Sequence, residues 1–258
     1  MPRRIALVTG GSRGIGAATV MSLARRGLDV CFTYRSKRNR ADEVVYTARQ
    51  TGRDILAVAS DMTNPVTAAR LFDAIRQWTD HLDLLVLNAS GGLERDLVAA
   101  DPYYPMRINR DAQVAFAKEA SALMPSGSTV VFVTSHWAHL YGQVTQLPAY
   151  EPVVQSKHAG ERALRCLFPD AHSRVRLLVV TGDIVEGTIT PLLLERVSRG
   201  IADQRRQAAG KLPTADDMAE AIAEAALNSK LPSGHTLVVG GPLETLIQQL
   251  DRKRESSS

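Results

Sequence analysis

A glycine-rich segment near the start of the chain has the spacing of a phosphate-binding loop. The sequence TGGSRGIG at residues 9–16 follows a short apolar run and opens an amphipathic stretch, so it should join a strand to a helix. Glycines let the backbone turn tightly and approach a pyrophosphate, whose charge the N–H groups at a helix start can meet. The alternative is a plain glycine-rich turn. The residues expected to contact a dinucleotide are Gly10, Ser12, Arg13, Gly14, Ile15 and Gly16.

The residues after the second predicted strand indicate which dinucleotide would bind. A site for NAD would present an Asp or Glu to the ribose hydroxyl about 20 residues past the glycines. The sequence there is YRSKR at residues 34–38, without a carboxylate. Arg35 and Arg13 could instead pair with the 2′-phosphate of NADP, for which a guanidinium is well suited. We therefore expect NADP(H) as the cofactor. The alternative is that these arginines belong to a solvated basic loop.

The elements that must hold these residues alternate between strand and helix along the chain. Short β-branched runs predict strands near residues 5–8, 30–33, 55–59, 84–87, 129–134, 175–180 and 235–239. Amphipathic stretches predict helices near residues 14–26, 39–51, 64–79, 105–123, 152–167, 190–207 and 214–228. This alternation implies βαβ crossovers. We therefore expect an α/β fold with a doubly wound parallel seven-stranded sheet, Rossmann-type, in a single domain.

Composition narrows the class of protein. The chain of 258 residues is 45% hydrophobic and 22% charged, which excludes disordered, collagen-like and disulfide-stapled classes. No apolar run reaches the roughly 18 residues that span a bilayer, and the opening MPRR does not resemble a signal peptide, so we expect a cytoplasmic protein. The net charge of +4 is not clustered as in nucleic-acid binders, but it suits an anionic ligand. Cys31 and Cys166 are expected to be buried free thiols.

A helical stripe near the end of the chain suggests a separate role for the last residues. Residues 1–242 are expected to form the NADP-binding domain, and residues 243–258 a C-terminal helix with a disordered tail. The stripe consists of Leu243, Leu246, Ile247 and Leu250. It would pack either on its own domain or against a second subunit.

Further motifs at fixed places along the chain give it a family resemblance. They are the glycine-rich segment, DM at 61–62, LNAS at 87–90, Asn109, TS at 134–135, SK at 156–157 and VVGG at 238–241. With these motifs, residues 4 to about 241 resemble the short-chain dehydrogenase/reductase family, most of all its 3-oxoacyl-reductase-like members. The chain departs from the family pattern at Leu87, Ser90 and Thr181, where the family usually has Asn, Gly and Pro.

The resemblance implies a set of cofactor contacts at the ends of the later strands. Asp61 and Met62 would flank the adenine, and Asn88 and Ala89 would line the cofactor cleft. Residues 182–188 would cover the nicotinamide. The further residues expected to contact the cofactor are Ser90, Lys157, Gly182, Ile184 and Thr188.

The resemblance also implies a chemistry, the transfer of a hydride to a carbonyl. An alkoxide develops in this reaction, so the site needs an acid near the carbonyl oxygen and donors that stabilise the charge. By resemblance, Ser135 holds the carbonyl, Asn109 supports a water relay, and Lys157 grips the ribose and lowers the pKa of a tyrosine four residues before it. This chain has Val153 at that position, and valine cannot donate a proton.

Tyr150 is the nearest substitute for the missing acid, seven residues before Lys157. Seven helical steps of about 100° bring it within about 20° of the same face, although the axial gap becomes roughly 10 Å instead of 6 Å. Pro152 suits the first helical residue, which would leave Tyr150 just before the helix and free to bend back. We therefore predict Tyr150 as the proton donor. The alternatives are His136, His139, water or the substrate itself.

The sequence SHWAHLYG at residues 135–142 predicts a wall of the substrate pocket, either as an aromatic lid or as the source of an imidazole acid. His136 and His139 have the spacing of metal ligands, but no third ligand is evident and no metal is expected.

The function expected from these observations is an NADPH-dependent reductase of a ketone or 3-oxoacyl-type carbonyl. Its catalytic residues would be Ser135, Lys157, Asn109 and Tyr150. The alternative, which Val153 favours, is a catalytically inactive NADP-binding sensor or scaffold protein. The expected partners are a small-molecule carbonyl substrate and further copies of the chain in a homodimer or homotetramer, with no nucleic acid and no membrane.

Overall fold

Strands and helices alternate in the structure as the sequence predicts. The structure is a computed structural model that describes residues 3–169 and 174–247. Its strands are β1 (Ile5–Val8), β2 (Asp29–Tyr34), β3 (Ile55–Ala59), β4 (Leu84–Leu87), β5 (Thr129–Ser135), β6 (Arg176–Gly182) and β7 (Thr236–Val239). Its helices are α1 (Gly14–Arg25), α2 (Arg38–Arg49), α3 (Pro65–Trp78), α4 (Arg95–Ala100), α5 (Tyr104–Met106), α6 (Ala112–Ser121), α7 (His136–His139), α8 (Glu151–Leu167), α9 (Ile189–Val197), α10 (Ile201–Ala209) and α11 (Ala215–Leu227).

The strands form one parallel sheet in the order β3-β2-β1-β4-β5-β6-β7. The reversal of order between β1 and β4 is the point at which ligands bind in doubly wound sheets. Because all the strands run in one direction, their carboxyl ends meet at a single edge. The expected doubly wound, Rossmann-type fold in one domain is confirmed, and the residues predicted to do chemistry follow strands at that edge.

Apolar helix faces cover both sides of the sheet. On one side, α3, α6 and α8 contribute Phe72, Phe116 and Leu164 to a core with the buried strand residues. On the other side, α1 and α11 pack together and contribute Leu23 and Ile222 among others. Burial on both faces explains why the strands have continuous apolar runs instead of alternating patterns. Among the helices of the described residues, none has the length and hydropathy that crossing a bilayer requires.

Two predicted helices are interrupted in the structure. The helix expected at 105–123 contains a π-helical turn at Arg107–Asp111 between α5 and α6. The helix expected at 190–207 is divided into α9 and α10, because Gly200 adopts a left-handed conformation with φ of +78°. The short helices α4 and α7 have too few residues for a clear periodic pattern, and the sequence analysis missed them.

The C-terminal stripe lies partly within the described residues. Leu246 is 4% exposed and packs in a third apolar cluster with Leu243 at its edge, whereas Ile247 is 37% exposed. Leu246 therefore packs on its own domain. Leu250 and the predicted tail lie outside the described residues, and the proposed boundary at residue 242 stays a prediction. Cys31 is buried as expected, but Cys166 is exposed on α8, so the expectation of two buried thiols was wrong for Cys166.

Candidate active site

The glycine-rich loop between β1 and α1 is shaped by contacts that exclude larger residues. Gly10 adopts φ of +70°, and its N–H donates to Thr33 Oγ1 at 3.0 Å. A Cβ on Gly16 would lie 2.2 Å from the carbonyl oxygen of Gly10, and a Cβ on Gly11 would lie 2.6 Å from the side chain of Phe32. Glycine is required at these two positions because any other side chain would displace backbone or core.

The start of α1 is open to an anion. Arg13 precedes the helix in an extended conformation, its side chain makes no capping hydrogen bond, and the first turn carries no acidic residue. The first N–H groups of a helix have no partner within the helix, and the helix dipole makes this end positive. The loop and helix start therefore fit the pyrophosphate of a dinucleotide, as the sequence predicts. Ser12, Arg13, Gly14 and Ile15 all lie at least partly exposed at this place.

Asn88 and Ala89, at the end of β4, are tied to the glycine-rich loop. Asn88 Nδ2 donates to the carbonyl oxygen of Thr9 at 3.0 Å and to that of Gly10 at 3.4 Å. Thr9 Oγ1 accepts from the backbone N–H groups of Asn88 at 2.9 Å and Ala89 at 3.0 Å. The structure therefore gives Asn88 a role in holding the loop in place across the switch point of the sheet. The buried side chain of Thr9 takes part in the same support.

The predicted adenosine end of the site contains two residues that the sequence analysis missed. Arg35 is half-exposed, and its Nη1 donates to Tyr104 Oη at 3.1 Å and lies 3.9 Å from Glu94 Oε1. Burial, followed by the charge of Glu94, raises the pKa of the Tyr104 hydroxyl. No local pattern could place Glu94 or Tyr104 beside Arg35, because they are more than 50 residues away in sequence. A carboxylate therefore lies near Arg35 in three dimensions, although residues 34–38 contain none.

Asp61 and Met62 follow β3 and are held by the turn that begins α3. Asp61 Oδ1 accepts from Thr63 N at 2.9 Å and from Thr63 Oγ1 at 2.7 Å. Met62 is buried against the apolar core. The Asp61 carboxylate is thus engaged locally, which fixes the backbone beside the predicted adenine position.

Residues 182–188, after β6, face the glycine-rich loop. A Cβ on Gly14 would lie 3.6 Å from Thr188 Cγ2, and Thr188 Oγ1 donates to the carbonyl oxygen of Val185 at 2.8 Å. Gly182 packs closely on α11, because a Cβ there would lie 2.6 Å from Met218 Sδ. Ile184, in contrast, is 3% exposed and belongs to the third apolar cluster. The segment therefore closes one side of the cleft into which α1 points.

Asn109 lies in the π-helical turn and is 1% exposed. Its Oδ1 accepts from Ser90 Oγ at 3.0 Å, and its Nδ2 donates to Ser156 Oγ at 2.9 Å. α8 approaches this turn so closely that a Cβ on Gly160 would lie 2.1 Å from the carbonyl oxygen of Asn109. Asn109 therefore joins the end of β4 to the helix that carries Lys157.

Ser135 and Tyr150 come together at the carboxyl edge of the sheet. Ser135 is the last residue of β5, and its Oγ accepts from Ala138 N at 3.3 Å. Tyr150 immediately precedes α8 and is 6% exposed. Burial raises the pKa of the Tyr150 hydroxyl, and the nearby Ser135 side chain acts in the opposite direction. The two hydroxyls therefore form one polar unit within apolar surroundings.

Lys157 lies on α8 and is partly buried. Burial lowers the pKa of its ammonium to about 8. Within the described part of the chain, its side chain makes no hydrogen bond and no ion pair. Burial and Ser135 influence the pKa of Tyr150, and the role of Lys157 in the chemistry stays a prediction.

Residues 4–193 match the model of the family described as short chain dehydrogenase. The chain belongs to this family. It is 28% identical over 199 residues to versicolorin reductase stcU of Emericella nidulans, which covers 76% of this chain and 73% of the relative. It is also 28% identical over 250 residues to 1-cyclohexenylcarbonyl-CoA reductase of Streptomyces collinus, which covers 93% of this chain and 87% of the relative.

A solved structure gives the same result for the whole fold. A blue fluorescent protein from a metagenomic library, in complex with NADPH, superposes with a TM-score of 0.78 at 28% identity and covers 93% of this chain and 97% of its own. Short chain dehydrogenases bind nicotinamide cofactors, and the relatives named here are reductases. The open start of α1 and the cleft beside it fit such a cofactor in this short chain dehydrogenase.

At the position where the family resemblance implies the acid, the short chain dehydrogenase described here has a packed valine. Val153 is 3% exposed, and a Cβ on Gly92 would lie 3.0 Å from Val153 Cγ2 and from Pro105 Cβ. Val153 belongs to the third apolar cluster together with Tyr150. The valine side chain therefore completes the packing beneath Tyr150 and has no group that could move a proton.

The two histidines of the pocket wall are both engaged. His136 Nδ1 lies 3.0 Å from Thr181 Oγ1, and its Nε2 lies 3.1 Å from the carbonyl oxygen of Gly241. His139 Nδ1 lies 3.0 Å from the carboxylate of Glu161. His136 thus has both ring nitrogens paired within the protein, which argues against the alternative that it supplies the proton. In the described ranges, no group of three His, Cys, Asp or Glu side chains could hold a metal ion.

Proposed function

We propose that this short chain dehydrogenase is an NADPH-dependent reductase of a ketone or 3-oxoacyl-type carbonyl, with Tyr150 as its proton donor. The observation that carries this proposal is the placement of the buried Tyr150 hydroxyl near the Ser135 side chain, which acts on its pKa, at the carboxyl edge of the sheet. A donor of hydrogen bonds and a donor of a proton, held side by side, are what a carbonyl oxygen requires as it becomes an alkoxide.

The preference for the phosphorylated cofactor rests on the charge near the start of α2. Arg35 follows β2 and Arg13 precedes α1, so both guanidinium groups can reach a 2′-phosphate beside the glycine-rich loop. The similar structure in complex with NADPH supports this choice. Glu94 lies near Arg35, but at 3.9 Å and with both side chains partly exposed the pair is weak, so a phosphate can displace it.

The chain's own residues would bind and orient the reactants as follows. The cofactor supplies the hydride when it is bound. Lys157 would bind the ribose with its ammonium, and Ser135 would donate a hydrogen bond to the substrate carbonyl. Tyr150 keeps its proton at neutral pH because burial raises its pKa, so it is a competent donor to the developing alkoxide. Asn109 would support a water that returns a proton to this site.

The pocket wall favours an apolar substrate. The third apolar cluster brings Trp137, Leu140 and Val144 of the segment after β5 next to Tyr150, with Leu147 at its edge. Burial is the largest cause of the raised pKa of Tyr150, in agreement with an apolar wall around it. The two relatives are named for reactions on versicolorin and on 1-cyclohexenylcarbonyl-CoA, and a cyclic or acyl-thioester carbonyl would suit this wall.

Replacement of Tyr150 by Phe tests the proposed donor, since it removes only the hydroxyl. With a ketone taken from a panel of cyclic ketones and 3-oxoacyl thioesters, we expect kcat to fall by roughly 10²–10⁴-fold while the Kd for NADPH changes less than about twofold. Tyr46→Phe is the matched control, because Tyr46 is 73% exposed on α2, outside the site, and this variant should keep full activity.

Two other outcomes would contradict either the role of Tyr150 or the reductase activity. Turnover that stays within a few-fold of the wild type in Tyr150→Phe would reject Tyr150 as the donor. A change of kcat with pH that is centred near pH 6–7 would then indicate an imidazole as the proton donor. NADPH binding without turnover of any carbonyl in the panel would favour the sensor or scaffold protein, the alternative that Val153 suggests. A homodimer or homotetramer is also part of the proposal, and the mass in solution tests it.

A further inference from the structure

The imidazole of His136 is a buried polar group that the proposed mechanism does not use. His136 is 0% exposed and follows Ser135 directly. Since the carbonyl oxygen of Gly241 can only accept a hydrogen bond, Nε2 of the ring carries the hydrogen. Nδ1 therefore accepts a hydrogen bond from the Thr181 hydroxyl. The two bonds fix the ring in one tautomer and one orientation.

The ring ties together the ends of three neighbouring strands. In the register of β5 and β6, Thr134 pairs with Thr181 and Ser135 pairs with Gly182. Gly241 lies two residues after the end of β7, which pairs with β6. The hydrogen bonds of His136 therefore lie beside the Ser135–Gly182 pair. They connect the end of β5 to the end of β6 and to the segment that follows β7.

The charge state of the ring agrees with this arrangement. Burial lowers the pKa of His136 to about 4, with Asp183 acting in the opposite direction and Arg205 and His139 acting in the same direction. The ring is thus neutral near pH 7 and keeps one donor and one acceptor. A buried polar ring is less favourable than an apolar side chain of similar size unless both of its bonds are made. Both are made here.

We propose that His136 and Thr181 are positioning residues, which aim the Ser135 hydroxyl at Tyr150 and at the substrate carbonyl. The inference rests on the proposed function, because it assumes that Ser135 binds the carbonyl. It also gives a reason for Thr181, which stands where the family resemblance implies a proline: a proline has no hydroxyl to pair with His136. This departure of the chain, a threonine before Gly182, then acts together with His136.

The test compares a substitution that removes the Thr181 hydroxyl with one that keeps it. Thr181→Val removes the donor to His136, and Thr181→Ser keeps it. We expect Thr181→Val to lower kcat about tenfold with the Kd for NADPH and KM within twofold, and Thr181→Ser to stay within about twofold of the wild type. Thr134→Val is the matched control, because Thr134 Oγ1 is buried without a hydrogen-bond partner among the described residues, and it should keep the wild-type kcat.

A double-mutant cycle separates positioning from a general loss of structure. If Thr181 acts through Ser135, Thr181→Val should have no further effect on kcat in the Ser135→Ala background. The same tenfold loss in both backgrounds, or a wild-type kcat in Thr181→Val with only a lower Tm, would overturn the inference.

The same cycle distinguishes this inference from the proposed function. A wild-type kcat in Ser135→Ala would overturn the role of Ser135 and the inference with it. A large loss in Ser135→Ala together with no loss in Thr181→Val would overturn the inference alone. Absence of turnover in the wild-type protein would overturn both.

Discussion

The half-buried ammonium of Lys157 makes a quantitative prediction about cofactor binding and pH. Its pKa is about 8 in the cofactor-free protein, against an ordinary value of 10.5. If ribose contacts and the charge of NADPH restore the ordinary value, the complex holds more protons than the free protein between pH 8 and 10.5. Affinity must then fall as pH rises through this window. From pH 7 to 9.5, these two pKa values give a loss of about 30-fold.

Fluorescence titration with NADPH at pH 7, 8, 8.8 and 9.5 measures this loss directly. The 2′-phosphate titrates near pH 6, below the window. Lys157→Met should bind NADPH more weakly at pH 7 and show no further loss to pH 9.5, while Lys118→Met, at an exposed lysine on α6, should follow the wild type. Wild-type affinity that is flat to pH 9.5, or an equal decline in Lys157→Met, would refute the reasoning.

Two further predictions concern the cofactor preference and the end of the chain. Arg35→Ala should weaken NADPH binding by about 1.5–3 kcal/mol and leave NADH binding nearly unchanged. Arg38→Ala, at a more exposed position, should change the binding of neither cofactor. Equal losses of NADPH and NADH binding in Arg35→Ala would contradict the phosphate contact. Leu246→Ala should lower the free energy of unfolding in urea by about 2–3 kcal/mol. Ile247→Ala, at the exposed neighbouring position, should have a smaller effect. Equal effects of the two substitutions would show that the stripe does not pack as described.

The sequence predicts the sheet well because the central strands are nearly continuous apolar runs. Burial on both faces leaves little ambiguity about β4 or β5, and the loop at residues 9–16 has its own glycine pattern. The breaks in the helices were harder to predict. The π-helical turn depends on the close approach of Gly160 to Asn109, a contact between residues about 50 positions apart.

The candidate site shows the same division between local and long-range information. Gly16 and Arg13 were identified from a local motif, and the structure places them where the motif requires. Glu94, in contrast, reaches Arg35 only through tertiary packing. The pairing of His136 with Thr181 likewise depends on the alignment of β5 with β6. Neither pair has a local pattern from which it could be read.

The position of Tyr150 can be understood from the packing around Val153. A tyrosine at residue 153 would need space that Gly92 and Pro105 already occupy, since a mere Cβ on Gly92 would come within 3.0 Å of the valine. Tyr150 is the residue just before α8, and its ring packs in the same cluster at the start of this helix. The proposed acid, Tyr150, therefore precedes Lys157 by seven residues instead of the four that the family pattern implies. Burial and Ser135 are the influences on the pKa of Tyr150, so in the proposed mechanism Tyr150 supplies the proton and Lys157 binds the cofactor.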